Sequence, residues 1–180
     1  MSLTYLADIR RSYRNYRALA ERAIAQVTDV ELFEPLDAED NSVAVVMQHV
    51  AGNLRSRFTD FLTSDGEKPD RNRDAEFEAR PRTRAELLDD WNHAWDTVLG
   101  QLDALTVADL ERTVFIRGEA FAVVEALNRS VTHTAYHVGQ IVFVAKHFAG
   151  DQWKSLSIPK GKSAEFSVGT FKQGIVPEKK

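Results

Sequence analysis

The chain has 180 residues, a formal net charge of −4 and no cysteine. This length predicts one domain, or one domain with an arm, and the negative charge disfavours a nucleic-acid-binding protein that works by neutralising phosphates. Because cysteine is absent, a disulfide framework, a thiolate metal site, an iron–sulfur cluster and a cysteine nucleophile are all excluded. Any metal must therefore be bound through nitrogen and oxygen.

The N-terminal residues lack the continuous apolar stretch of a signal peptide. No apolar stretch reaches the roughly 18 residues that a membrane span needs. We therefore expect a cytoplasmic protein with neither a membrane nor a nucleic acid as its partner.

Apolar residues recur at spacings of three and four in four segments, which predicts four long amphipathic helices. The first helix is predicted from about Leu3 to Val27. The second begins at Ser42, whose hydroxyl can cap the free N–H groups, and runs to about Thr63. The polar segment from Ser64 to Arg82 has no such period and is unusually long for a connection within a compact domain.

The third predicted helix opens with the capping-box pattern of Thr83–Glu86 and continues to about Leu102. After it, the segment Arg112–Phe121 holds β-branched and aromatic residues on both sides of Arg117-Gly118. This pattern predicts a small β-hairpin before the last helix.

The fourth helix is predicted from about Val123 to Phe148, with Gly150 as its C-terminal glycine. Four helices of this length predict an all-α fold, a four-helix bundle formed by residues 1–150. The long crossover between the second and third helices is able to return along a helix, which predicts an up-down-down-up order. Residues 151–180 are predicted to form an irregular basic tail that packs on the bundle.

Three histidines form a candidate metal site. His133 and His137 lie four residues apart in the fourth predicted helix, so both imidazoles can reach one ion. His49 lies on the second helix, and ligands from facing helices converge in the core of a bundle. Three nitrogens with an open position are typical of catalytic zinc sites, and imidazole also suits nickel, copper and iron. The alternative is one buried histidine with ordinary polar partners and two that are partly exposed.

The sequence around these histidines resembles an uncharacterised bacterial branch of the DinB/YfiT-like metalloenzyme superfamily. The similarity covers Met47–Asn53, Thr59–Pro69, His133–Ile141 and Trp153–Ser163. It implies an up-down-down-up four-helix bundle, often a homodimer, and a divalent metal, commonly zinc or nickel. By motif, the three histidines are its implied ligands and water completes the coordination sphere. Characterised members include transferases and isomerases that use small thiols such as bacillithiol or mycothiol.

Two polar residues lie close to the implied ligands in sequence. Asn53 is one helical turn beyond His49, and Gln140 is three residues beyond His137. Either amide could orient an imidazole or bind substrate, since metal-bound histidines need a hydrogen-bond partner. The alternatives are a polar helix contact for Asn53 and an exposed amide for Gln140.

The leading functional hypothesis is a metal-dependent enzyme that transfers a low-molecular-weight thiol to a small-molecule electrophile. Because the chain has no cysteine, the thiol must come from a cosubstrate. The alternatives are a metal-assisted hydrolase and a non-catalytic dimer with a structural or sensing metal. Of the two remaining histidines, His93 is predicted to lie at the surface, and His147, near the end of the last helix, is predicted to interact with the helix dipole. The sequence does not identify the catalytic residues.

Overall fold

The computed structural model describes residues 2–165 and is mostly helical. Within those residues it contains five α-helices, four of them long, and one two-stranded antiparallel sheet. The helices are α1 Ser2–Ile24, α2 Asp29–Phe33, α3 Val43–Phe58, α4 Arg84–Ala104 and α5 Val123–Ala149; the strands are β1 Thr113–Ile116 and β2 Glu119–Ala122.

Local capping signals set the starts of α3 and α4 where they were predicted. The Ser42 hydroxyl accepts a hydrogen bond from the Val45 N–H at 3.2 Å. At α4, both halves of the Thr83–Glu86 capping box are present. These contacts satisfy N–H groups that have no partner within the helix, which fixes the first residue of each helix.

The prediction that the second long helix extends to Thr63 is wrong. Helix α3 ends at Phe58, because Thr59 is extended and Asp60 has a left-handed φ of 50°. Aspartate tolerates this conformation better than most residues, and a helix cannot continue through it. Helix α2 was not predicted, although Thr28 and Glu31 form a complete capping box at its start.

Contacts among the long helices enclose the core. Helix α3 packs against α4 and α5, and α1 packs against the same two helices. The largest side chains at the centre are Tyr13, Trp91 and Trp95, all fully buried. Tyr13 and Trp95 meet edge to face with ring centroids 6.3 Å apart, a favoured geometry for aromatic rings.

The predicted hairpin is confirmed and is tied to the long connection between α3 and α4. Arg117 and Gly118 form its turn with φ values of 57° and 77°, as a two-residue hairpin turn requires. The Asp65 carboxylate accepts hydrogen bonds from the N–H groups of Arg117 and Gly118 at 2.9 and 2.8 Å. The Gly66 N–H donates to the Phe115 carbonyl at 2.8 Å. The connection is thus held beside β1 rather than left as a free loop.

A 3-10 turn, Asp74–Phe77, places part of the same connection on α3. The Gln48 amide on α3 donates to the Ala75 and Glu76 carbonyls at 3.1 and 3.0 Å. Gly52, one turn further along α3, faces the Glu76 side chain, and a Cβ at that position would overlap the carboxylate. Glycine therefore allows the Glu76 side chain to lie against the helix.

After α5 the chain turns at Gly150, whose φ is 49°. The side chains of Trp153 and Leu156 pack against the hydrophobic core, and the Lys154 N–H donates to the Gln26 side chain at 2.6 Å. Residues 166–180 of the predicted tail lie outside the described residues. The division into a bundle and a tail stays a prediction.

Among residues 2–165, none of the helices combines the length and the apolar character that crossing a membrane would require.

Candidate metal centre

The three predicted ligands come together between α3 and α5. The Nε2 atom of His133 lies 3.2 Å from the Nε2 atoms of both His49 and His137. One ring nitrogen from each histidine can be chosen so that all three lie within 4.8 Å of one another. His49 and His137 are buried, with 2% and 8% of their surface exposed, and His133 is half-buried.

Glu76 fixes the orientation of the His49 ring. Its carboxylate lies 2.9 Å from His49 Nδ1, so that nitrogen carries the proton and Nε2 presents a lone pair to the other histidines. Arg71 holds the carboxylate in turn, through Nε and Nη2 bonds of 2.8 Å each. The Phe77 ring stacks on His49 with centroids 4.4 Å apart. Burial opposes ionisation of Glu76, but the Arg71 and His49 hydrogen bonds keep its pKa below the ordinary value.

Gln140 fixes the His137 ring in the same way. Its Oε1 atom lies 2.7 Å from His137 Nδ1. The amide nitrogen donates to the Tyr136 hydroxyl at 3.4 Å, which places the oxygen on the histidine side. His137 therefore also carries its proton on Nδ1 and presents an Nε2 lone pair to the centre.

The three Nε2 atoms at the centre have too few protons among them for every lone pair to accept a hydrogen bond. The Nε2 atoms of His49 and His137 are both acceptors, and His133 Nε2 faces them both at 3.2 Å. A proton on His133 Nε2 points at one of these lone pairs and leaves the other without a donor. A shared cation would satisfy all three lone pairs, whereas buried polar atoms without partners are unfavourable.

Burial favours the neutral form of two of the three histidines. Burial lowers the pKa of His133 to about 3, and His137, His49, Arg71 and Arg57 act electrostatically in the same direction. Burial also lowers the pKa of His137. Ligation requires neutral imidazole, so these rings are in the metal-binding form at neutral pH.

The spacing of the donors fits a transition-metal ion. Two nitrogens bound tetrahedrally at typical zinc distances lie about 3.3 Å apart. The two Nε2 separations of 3.2 Å match that value. Three imidazoles fill three positions of a four-coordinate site and leave the fourth for a further ligand.

A cavity of about 330 Å³ adjoins the histidines on one side. His49, His133 and Asn53 all line it. Asn53 is 8% exposed, and its side chain makes no hydrogen bond to the three histidines within residues 2–165. Asn53 therefore faces the cavity, whereas Gln140 contacts a candidate ligand directly.

The other two histidines lie at the surface, which was the prediction for His93. The His93 side chain is 73% exposed, and its Nδ1 atom lies 3.6 Å from the Asp89 carboxylate. His147 is also exposed, with its ring against Phe148.

Glu76 and Arg71, the pair that supports His49, were not predicted from the sequence. Both lie in the polar segment between α3 and α4, which has no helical or strand period. The available signal was the length of that segment, because long connections in compact domains are often functional. Glu76 contacts His49, which lies 27 residues earlier in the chain, and Arg71 acts on His49 through Glu76. No local pattern identifies such a contact.

A sequence model of one protein family matches residues 1–162, and its description reads "Protein of unknown function (DUF1572)". No curated protein matches the chain.

Proposed function

The chain belongs to the DUF1572 family, whose description assigns no activity, and we propose from its own residues that it is a divalent-metal-binding protein and a metalloenzyme. His49, His133 and His137 are the proposed ligands. The observation that carries this proposal is the convergence of three ring nitrogens, in which His133 Nε2 lies 3.2 Å from the Nε2 atoms of both His49 and His137. Glu76 and Gln140 orient these last two nitrogens as lone pairs.

Zinc and nickel are the proposed metals, because both accept imidazole nitrogen. A divalent cation held by three histidines would supply an open position that lowers the pKa of a bound water or thiol. The cavity beside His49 and His133 would give a small molecule access to that position. This access favours a catalytic site over a structural one, in which four protein ligands enclose the metal.

The proposed reaction is transfer of a low-molecular-weight thiol to an electrophile. This choice rests on the resemblance to the DinB/YfiT-like superfamily, and we propose that the DUF1572 family belongs to that superfamily. The chain has no cysteine, so the sulfur would belong to a cosubstrate. The residues of the chain would then orient the reacting molecules and exclude bulk water.

The up-down-down-up four-helix bundle is part of the same proposal. Support comes from the contacts, in which α1 and α3 each pack against α4 and α5. Such a cycle of neighbours is what four helices around one core produce.

Metal analysis of the purified protein, handled without chelators, tests the proposed site. We expect about one zinc or nickel ion per chain. His137→Ala should lose most of the metal, whereas His147→Ala, an exposed histidine on the same helix, should retain it. A metal-free wild type, or full occupancy in His137→Ala, would contradict the assignment.

The reaction is tested by turnover of an electrophile such as a chloronitrobenzene, with and without added small thiols. Thiol S-transfer requires turnover that depends on both the thiol and the metal. Metal-dependent turnover of an ester or amide without thiol would indicate a hydrolase instead.

A further inference from the structure

We propose that the cavity beside His49 and His133 is an anion-binding site, and that the substrate is a small carboxylate or phosphate with an apolar part. The inference deepens the proposed function, since it concerns the molecule presented to the same histidines. It rests on the charges and surfaces that line the cavity.

Guanidinium groups dominate the cavity wall. Five of its lining residues are arginines, and none is acidic. This concentration of positive charge occurs in a chain whose formal net charge is −4. The arginines are Arg57, Arg71, Arg73, Arg117 and Arg129.

Carboxylates behind the wall offset only part of this charge. Glu67 is shared by three arginines, with nitrogen–oxygen distances of 2.8 Å to Arg57 and 3.3 Å to Arg71 and Arg117. Glu76 pairs with Arg71 as well. Asp65, which accepts from the Arg117 N–H, also interacts electrostatically with Arg57. Three carboxylates therefore lie near five guanidinium groups, and the cavity keeps a net positive charge.

Arg73 and Arg129 have no carboxylate partner within residues 2–165. Each instead lies over an aromatic ring, Arg73 over Phe77 at 5.5 Å and Arg129 over Phe121 at 5.6 Å. Both residues are exposed. Their donors are free to bind an anion, and guanidinium binds carboxylate and phosphate through paired hydrogen bonds.

The rest of the wall suits an apolar group. Phe58 and Phe61 are buried, and Phe115 lines the cavity although 49% of its surface is exposed. Ser130 lies in the same wall and is buried, with 7% of its surface exposed. A volume of about 330 Å³ admits a small amphiphilic molecule, but not a polyanion such as nucleic acid.

The test compares two ligands of nearly equal shape that differ in charge. 3-Phenylpropionate carries a carboxylate, and 3-phenylpropan-1-ol carries a hydroxyl in its place. Calorimetric titration of the full-length protein, as purified and again after chelator treatment, gives the ratio of their dissociation constants. The chelator-treated arm removes direct binding of carboxylate to metal. Phenyl phosphate in a third titration distinguishes a phosphate preference from a carboxylate preference.

Two double variants distinguish ligand binding by the cavity arginines from a general effect of the protein's net charge. Arg73→Gln with Arg129→Gln removes the two unpaired arginines and leaves Arg71, which supports Glu76, in place. Arg14→Gln with Arg22→Gln makes the same charge change on exposed positions of α1, away from the cavity. Circular dichroism and metal content confirm that each variant is folded and loaded as the wild type is.

We expect the wild type to bind 3-phenylpropionate or phenyl phosphate at least about tenfold more tightly than the alcohol, as charge-assisted hydrogen bonds predict. The preference should fall as salt is raised, disappear in the cavity variant and persist in the α1 variant. Equal binding of charged and neutral ligands, or a preference that survives in the cavity variant, would overturn the proposal. Absence of metal from the purified protein contradicts the proposed function alone, since the charge preference is measured without metal.

Discussion

Glu76 lies in the long segment between α3 and α4 and links that segment to the candidate metal centre. Its carboxylate accepts a hydrogen bond from His49 Nδ1 and two more from the Arg71 guanidinium. This arrangement does two things at once: it selects the tautomer of His49 and prevents rotation of the ring. Such partners raise the basicity of a ligating imidazole and hold it in position for the metal.

Glu76→Gln should weaken metal binding by about 10- to 100-fold. The amide is isosteric, but it lacks the negative charge and leaves Arg71 with Glu67 as its remaining ion-pair partner. Competition with a chromophoric chelator measures the dissociation constant. Glu78→Gln, an exposed glutamate in the same segment, is the matched control and should bind metal as the wild type does. Equal affinities in the two variants would show that Glu76 does not support the site.

His133 makes the stability of the metal-free protein depend on pH. Its pKa is about 3 in the folded protein, against an ordinary value of 6.5. Between these values the unfolded chain binds a proton at His133 that the folded chain does not, so the free energy of unfolding falls as pH falls. The slope from this one group is at most about 1.4 kcal/mol per pH unit.

Chemical denaturation of chelator-treated protein between pH 7 and pH 5 measures this effect. His133→Gln should lose less stability over that range than the wild type, because the group with the depressed pKa is gone. His93→Gln, at an exposed position, should follow the wild type. Parallel pH profiles for the wild type and His133→Gln would contradict the expectation.

Helix boundaries were predictable where local chemistry determines them. Ser42 and the Thr83–Glu86 box start α3 and α4, and the Arg117-Gly118 turn forms the hairpin. Each of these features depends on residues within four positions of one another. The spacing of His133 and His137 is local in the same sense, and periodicity put His49 on a core-facing helix.

The rest of the site depends on contacts across long stretches of chain. Glu76 meets His49 over 27 residues, and the cavity arginines come from the α3–α4 connection, the hairpin and two helices. Sequence alone shows these arginines as scattered charges, which are normally solvated. Only the fold brings them to one surface.

At Gly52 on α3, helix propensity favours alanine, but the space taken by the Glu76 side chain requires glycine. A Cβ there would overlap the Glu76 carboxylate, so Gly52→Ala should displace Glu76 and weaken metal binding, about 10-fold or more. Gly100→Ala on α4 is the matched control, because nothing lies within 4 Å of its added Cβ. The control should bind metal normally and gain about 0.5–1 kcal/mol of stability from helix propensity. Chelator competition and thermal denaturation measure both quantities; unchanged metal affinity in Gly52→Ala would refute the argument.

The homodimer expected from the resemblance has a candidate surface on α5. Tyr136 and Phe143 lie seven residues apart, two helical turns, and are 64% and 69% exposed. Gly139 lies between them, exposed and without a side chain, so a second helix could approach closely there. Large exposed apolar groups in line on one helix are typical of an interaction surface. This surface adjoins the candidate metal centre. The Tyr136 hydroxyl accepts a hydrogen bond from the Gln140 amide, whose oxygen is hydrogen-bonded to His137 Nδ1.

Light scattering after size-exclusion chromatography tests this dimer. We expect a wild-type dimer and a shift toward monomer in Phe143→Asp, because the charge would be buried without a partner between two helices. Leu3→Asp places the same charge at a comparably exposed apolar residue, 76% exposed near the start of α1, and should leave the dimer intact. Phe143 is neither a proposed ligand nor one of the residues that orient the ligands, so metal content should not change in either variant. A monomeric wild type would refute the dimer, whereas a dimer that persists in Phe143→Asp would place its interface on another surface of the protein.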